Sequence, residues 1–283
     1  MGQDTPRELI VIAGKGAYPL LLAESARKQG VQRLVALAFR GETDPAIRAR
    51  VDEVHWVRLG QLQATLDTTR ATGVRHAVMA GQITPTALFH LRPDGALFEL
   101  LRGLKLRNAE TIFGAVGERL RAIGVDLLPA CRFMEHHMPA AGLIARRPPT
   151  EPEREDIRLG FRVAKATSAL DIGQTVVVKE GTVLAVEAFE GTDETIRRAA
   201  GLAGPGIAIV KTAKAGHDMR FDIPVVGMRT MKVLRRARAA VLAVEASRTI
   251  LLERESLVAA ADRLGLCFVA VAVSDDGKTE ALP

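Results

Sequence analysis

The first half of the chain alternates short apolar runs with helix-like stretches, and glycine repeatedly marks the changeover. Leu9–Ala13 ends in Gly14-Lys15-Gly16, Pro19 opens the helix-like stretch Leu20–Lys28, and Gly30 closes it. Proline is tolerated in a first helical turn, and glycine is a common helix stop. Leu34–Phe39, Val54–Leu59 and His76–Ala80 read as further strands, with Gln61–Thr72 as a helix between the last two. Asn108–Ile123 is a helix stopped by Gly124, and Val125–Leu128 is a fifth strand. Strands and helices in this order predict a parallel sheet covered by helices, a Rossmann-like arrangement.

The Pro-rich, charged piece Arg146–Glu155 has little apolar periodicity and reads as a linker. The expected organisation is a Rossmann-like domain over residues 1–134, a linker over 135–155 and a second α/β domain over 156–283. The second domain predicts a helix over Asp156–Leu170, then the strands Thr175–Val178 and Val183–Phe189 joined by a hairpin at Lys179-Glu180-Gly181. Gly206–Lys211 is a strand, Thr230–Ala237 a basic helix, and Leu257–Leu264 a helix. Ala240–Val244, Thr249–Leu252 and Cys267–Val273 are expected to complete a second, mixed sheet. The fold class is α/β, with the active site at or between the two domains.

With 283 residues, 48% of them hydrophobic, each half has enough apolar material for its own core. One Trp and one Tyr leave little stacking surface, which argues against single-stranded nucleic acid as a partner. The net charge of +6 fits either phosphate-bearing ligands and an anionic membrane surface or an ordinary solvated exterior. Cys131 and Cys267 are too isolated to suggest zinc or disulfides. The beginning of the chain runs straight into a strand, and no apolar run is long enough to span a bilayer, so a cytoplasmic protein is expected.

Four segments carry candidate chemistry. Gly14-Lys15-Gly16 stands where a first strand meets a first helix, a place where backbone N–H groups approach phosphate. Pro19 occupies the third glycine position of the dinucleotide fingerprint, so NAD is not implied. Gly81 and Gln82 also follow a strand and are expected at the same crevice. Glu190-Gly191-Thr192-Asp193 reads as a helix entrance with Thr192 as a candidate N-cap, leaving Glu190 and Asp193 free at a strand end. His136-His137 is a poor chelate, because adjacent side chains diverge.

The fourth segment, 211–224, holds Lys211, Lys214, His217, Asp218, Arg220 and Asp222 between two strands. In an extended chain Asp218, Arg220 and Asp222 share one face. Asp218 and Asp222 would then stand roughly 13 Å apart, too far to share one metal ion. A turn in the chain, or a partner such as Glu190 or Asp193, is needed to build a metal site. Lys and Arg suit phosphate oxygens, while carboxylates hold a divalent cation or orient water.

From Lys211 to Thr230 the pattern Lys-x-x-Lys-x-Gly-x-Asp-x-Arg-x-Asp-x-Pro-x-x-Gly-x-x-Thr resembles the C-terminal signature of the bacterial UDP-2,3-diacylglucosamine pyrophosphatases of lipid A synthesis. The Gly14–Pro19 loop and Glu190–Asp193 match as well, and the resemblance covers nearly the whole chain. His217 stands where that family more often carries Gln, so the resemblance gives it no catalytic role. The resemblance implies hydrolysis of UDP-2,3-diacylglucosamine to UMP and 2,3-diacylglucosamine 1-phosphate (lipid X), with Mg²⁺ or Mn²⁺. It also implies an apolar chamber for acyl chains and work at the inner face of the membrane.

On this reading Asp222, Asp218 and Asp193 are the catalytic candidates, with Asp222 and Asp193 as metal ligands. Gly14, Gly16, Gly81, Gln82, Thr192, Lys211, Lys214 and Arg220 are the substrate-binding candidates. The rival expectations are a nucleotide-sugar transferase and a non-enzymatic sensor of nucleotides or acidic lipids. A homodimer through an edge of the β-rich second half is left open.

Overall fold

The computed structural model describes residues 5–83, 92–106, 109–214, 220–221, 223–280 and 282. These form two compact units. The first holds the described residues up to Met134 together with Arg220 and Phe221; the second holds the rest.

In the first unit, β1 (Glu8–Ala13), β2 (Arg33–Phe39), β3 (Glu53–Val57), β4 (His76–Ala80) and β5 (Asp126–Leu127) form a sheet in the order β3-β2-β1-β4-β5. Every pairing in it is parallel. Helices cover both faces, so β1 and β2 are buried along nearly their full length and read as unbroken apolar runs. α1 (Tyr18–Lys28) packs on β1 and β4. The other face, with Ile10, Val35, Leu37 and Ala77, is covered by α2 (Leu62–Ala71), α3 (Gly95–Gly103) and α4 (Ala109–Ala122) through Leu66, Leu97, Leu100 and Leu120. The strand order reverses between β1 and β4, which is where open α/β sheets place a crevice.

The second unit has a six-stranded mixed sheet in the order β6-β13-β11-β9-β7-β8. Its strands are β6 (Gly142–Leu143), β7 (Thr175–Lys179), β8 (Thr182–Val186), β9 (Ala208–Lys211), β11 (Val241–Glu245) and β13 (Cys267–Val271). β9, β11 and β13 are parallel, and β6, β7 and β8 pair antiparallel with their neighbours. α5 (Glu151–Ala169) covers one face through Ile157, Phe161 and Ala164. α6 (Thr192–Ala203), α7 (Met228–Ala237) and α8 (Arg254–Leu264) cover the other. The parallel and mixed sheets expected from the sequence are both present, and the hairpin turn at Lys179–Gly181 is pinned by Asp156, whose carboxylate accepts the N–H groups of Glu180 and Gly181.

Beyond α3 and β6, which the sequence reading did not anticipate, two elements of the second unit differ from expectation. Ile250–Leu251 (β12) does not join the large sheet; it pairs with Val225–Val226 (β10) in a separate ribbon. α5 starts at Glu151 rather than Asp156, because Pro152 suits a first turn and Glu153 reaches back to the Thr150 N–H at 2.9 Å.

Candidate functional site

In the first unit the loops after β1 and β4 clasp each other backbone to backbone. Gly14 N–H donates to Ala80 O (2.7 Å), Lys15 N–H to Gln82 O (2.7 Å) and Gln82 N–H to Lys15 O (3.1 Å). The clasp requires glycine on both sides. A Cβ on Gly14 would stand 2.8 Å from Gln82 O, and one on Gly81 would stand 2.8 Å from Lys15 O. Gly14, Gly81 and Gln82 thus meet as the sequence suggested, and Gly16 lies beside them on the exposed loop at φ +95°.

Beside the clasp opens a cavity of about 120 Å³, lined mainly by apolar side chains of β4, α2, α3 and α4, including Leu66, Met79, Leu97, Val116 and Leu120. Gly14 and Gly81 lie on its wall, Arg58 contributes a cation, and Phe221 closes part of it. Phe221 packs over Gly117 of α4, where a Cβ would come within 3.3 Å of the ring. Arg220 lies over the Phe221 ring at 4.9 Å. Both residues form a turn, so the extended face expected across Arg220 is not realised there. Asp218, Asp222 and His217 lie outside the described residues.

In the second unit, the carboxyl ends of β8, β9 and β11 and the amino end of β7 share one edge of the sheet. Side chains alternate along β9, so its last residues reach opposite faces. Lys211 turns toward α6 and donates to Thr192 Oγ1 at 2.9 Å. Thr192 donates in turn to Glu187 Oε1 at 3.0 Å and lies 3.2 Å from the Thr175 hydroxyl. Glu187 Oε2 is buried without a hydrogen-bond partner. Lys214 pairs with Asp171 at 2.6 Å.

Three sequence readings at this edge are corrected. Thr192 is not the N-cap of α6; Gly191, at φ +81°, takes that place, and Thr192 is spent on Lys211 and Glu187. Asp193 is not free, because Arg229 of α7 donates to it at 2.6 Å. Glu190 is not free either: the Arg198 guanidinium donates to it and holds its carboxyl below the usual range. His136 and His137 sit in a short 3-10 turn. Among the described residues no group of three His, Cys, Asp or Glu is placed to hold a metal ion.

The sequence reading missed Thr175, Glu187, Lys165 and Glu245. Lys165 and Glu245 had a legible sign: a lysine on the apolar stripe Ile157–Phe161–Ala164 and a glutamate ending the buried strand VLAVE.

The clasp at the strand reversal, the apolar cavity and the cationic strand edge define a two-unit α/β protein of the open-sheet class, a class that places its ligand crevices at strand ends. The chain belongs to the LpxI family: residues 8–137 match the LpxI N-terminal domain and residues 140–269 the LpxI C-terminal domain. It is 31% identical over 276 residues to the UDP-2,3-diacylglucosamine pyrophosphatase LpxI of Caulobacter vibrioides, covering 94% of this chain and 98% of that protein.

Proposed function

We propose that the chain hydrolyses the pyrophosphate bond of UDP-2,3-diacylglucosamine, releasing UMP and 2,3-diacylglucosamine 1-phosphate. The observation that carries this reading is the position of Phe221. It stands one residue before Asp222 in the motif and lines an apolar cavity beside Gly14 and Gly81. The reading gives that cavity to an acyl chain, in a protein whose strand-edge lysines suit a pyrophosphate.

Lys211, steadied by Thr192, is assigned with Lys214 and Arg220 to the phosphate oxygens, where fixed cations stabilise the charge that builds as the P–O bond breaks. Asp222 is assigned to the attacking water, with Asp218 beside it in the motif. Gly16 and Gln82 complete the N-terminal wall of the substrate site.

A divalent cation, Mg²⁺ or Mn²⁺, fits the donor chemistry at the strand edge, where Glu187 keeps a carboxylate oxygen without a hydrogen-bond partner. Asp193 and Asp222 are the residues that would hold it, Asp193 by exchanging its exposed Arg229 partner for the ion. When bound, the ion polarises a phosphoryl oxygen and acidifies water.

The reading places the protein in the cytoplasm, touching the inner membrane where its lipid substrate lies. No helix among the described residues is long and apolar enough to cross a membrane. The candidate contact face is α7, which exposes Lys232, Arg235 and Arg236 beside a hollow floored by Met228, Met231 and Leu264. A homodimer would use β8, an edge strand of the second sheet.

The test is hydrolysis of UDP-2,3-diacylglucosamine in ¹⁸O-water, with mass spectrometry of UMP and of the lipid phosphate. Label in one product, loss of turnover with chelator and loss of turnover in Asp222→Ala are expected. Turnover only with an added sugar acceptor would make the protein a transferase. Tight binding without turnover, with Mg²⁺ or Mn²⁺ present, would make it a sensor.

A further inference from the structure

Lys165 and Glu245 are each only 1% exposed, and Lys165 Nζ lies 2.9 and 3.0 Å from the two oxygens of the Glu245 carboxylate. A buried pair of this kind is a weak source of stability, since desolvation offsets much of the attraction. Besides a 3.4 Å bond from the Arg248 guanidinium to Glu245 Oε1, the remaining hydrogen bonds of this pair converge on Thr212 and Ala213. Glu245 Oε2 accepts from Thr212 Oγ1 at 2.5 Å and from the Ala213 N–H at 2.8 Å. Lys165 Nζ donates to the Ala213 carbonyl at 2.9 Å. Both backbone groups of Ala213 are therefore held by the two ends of a single ion pair. Arg248 extends the hold by donating to the Lys214 carbonyl at 3.2 Å.

Thr212 and Ala213 are fully buried and stand immediately after Lys211, at the start of the motif segment. The alternation of β9 separates the two tasks. Lys211 faces α6 and Thr192, whereas Thr212 faces the opposite side of the sheet, where α5 supplies Lys165 and β11 supplies Glu245. Gly160 lets α5 come close enough for this, because a Cβ there would meet Val210 of β9 at 2.4 Å.

We propose that Lys165 and Glu245 are positioning residues: they fix the backbone at Thr212 and Ala213 and so set the aim of Lys211 and Lys214 at the pyrophosphate. This rests on the reading that the 211–224 segment handles phosphate. Neither residue of the pair is assigned a contact with substrate.

Thr212→Val removes one hydrogen bond to Glu245 while keeping the shape of the side chain. It is expected to lower kcat about tenfold, since small misplacements of charge-stabilising groups are costly in rate. KM should stay within about twofold of wild type, Tm should fall by a few degrees as a buried hydrogen bond to a charged group is lost, and Thr212→Ser should restore both Tm and kcat. A purely structural pair predicts wild-type kcat in Thr212→Val, and that result would overturn the proposal. Lys165→Met is the second arm, read by amide hydrogen exchange. Protection at Ala213 and Lys214 should fall while that at Ile209 and Val210 persists; unchanged protection at Ala213 also overturns the proposal. If the wild-type protein fails to hydrolyse the UDP-lipid, the functional reading falls, whereas the exchange arm still decides whether the pair anchors this backbone.

Discussion

Gly14 and Gly81 meet backbone to backbone at the reversal of the first sheet, each leaving no room for a Cβ on the other. This contact joins the loop after β1 to the loop after β4 and shapes one wall of the apolar cavity. Two separate costs fall on Gly81→Ala: a Cβ 2.8 Å from Lys15 O and a backbone at φ +91°. The expected loss of stability is about 2–4 kcal/mol. Gly16→Ala shares the positive φ, +95°, but has nothing within 4 Å, so it should lose only about 1 kcal/mol. Urea unfolding of the two variants separates the terms, and equal losses would remove the clasp as the reason for Gly81.

The cavity makes a prediction of its own. Val116 lines it from α4, next to Gly117 on which the Phe221 ring rests. Val116→Phe would occupy room otherwise open to an acyl chain. If two methylenes are excluded, at about 0.8 kcal/mol each, KM for the diacylated substrate rises about tenfold. The kcat at saturation and Tm should stay close to wild type. Steady-state kinetics with substrates of graded chain length is the measurement. A KM that does not move for any chain length would take the acyl chain out of this cavity.

The sequence made the strand ends legible because glycine and turn residues act locally. Gly14 and Gly81 could be placed near one crevice from strand order alone, and the Lys179–Gly181 turn from its flanking β-rich runs. Partnerships across the fold were not legible. Asp193 and Glu190 looked free because the arginines that claim them, Arg229 and Arg198, lie on helix faces whose orientation only packing decides. Lys165 and Glu245 are 80 positions apart and meet only because α5 crosses β9 at Gly160. The helix Gly95–Gly103 was missed for a local reason: Pro93-Asp94-Gly95 resembles a turn, yet Asp94 is an N-cap that accepts the Leu97 N–H at 2.9 Å.

The start of α5 carries a prediction about acid. Burial alone would raise the Glu153 carboxyl, but bonds from Arg147 at 2.6 and 2.9 Å and from the Thr150 N–H outweigh it and hold the group below its ordinary 4.5. Arg147 also donates to Gly265 O at 2.7 Å and Ala240 O at 2.9 Å, so the pair ties the first turn of α5 to the ends of two other elements. A carboxyl whose folded pKa is depressed stabilises the fold fully above its unfolded value and loses that contribution as pH falls through the folded one. Glu153→Gln keeps the shape and removes the charge. It should be less stable than wild type by about 1 kcal/mol at neutral pH, as for a hydrogen bond to a charged group weakened rather than deleted. The gap should narrow as pH falls below the ordinary carboxylate range, where wild-type Glu153 is itself becoming protonated. Urea unfolding of both proteins from neutral to acid pH measures it. A gap that persists in acid would mean that packing around Glu153, rather than its charge, holds the first turn of α5 in place.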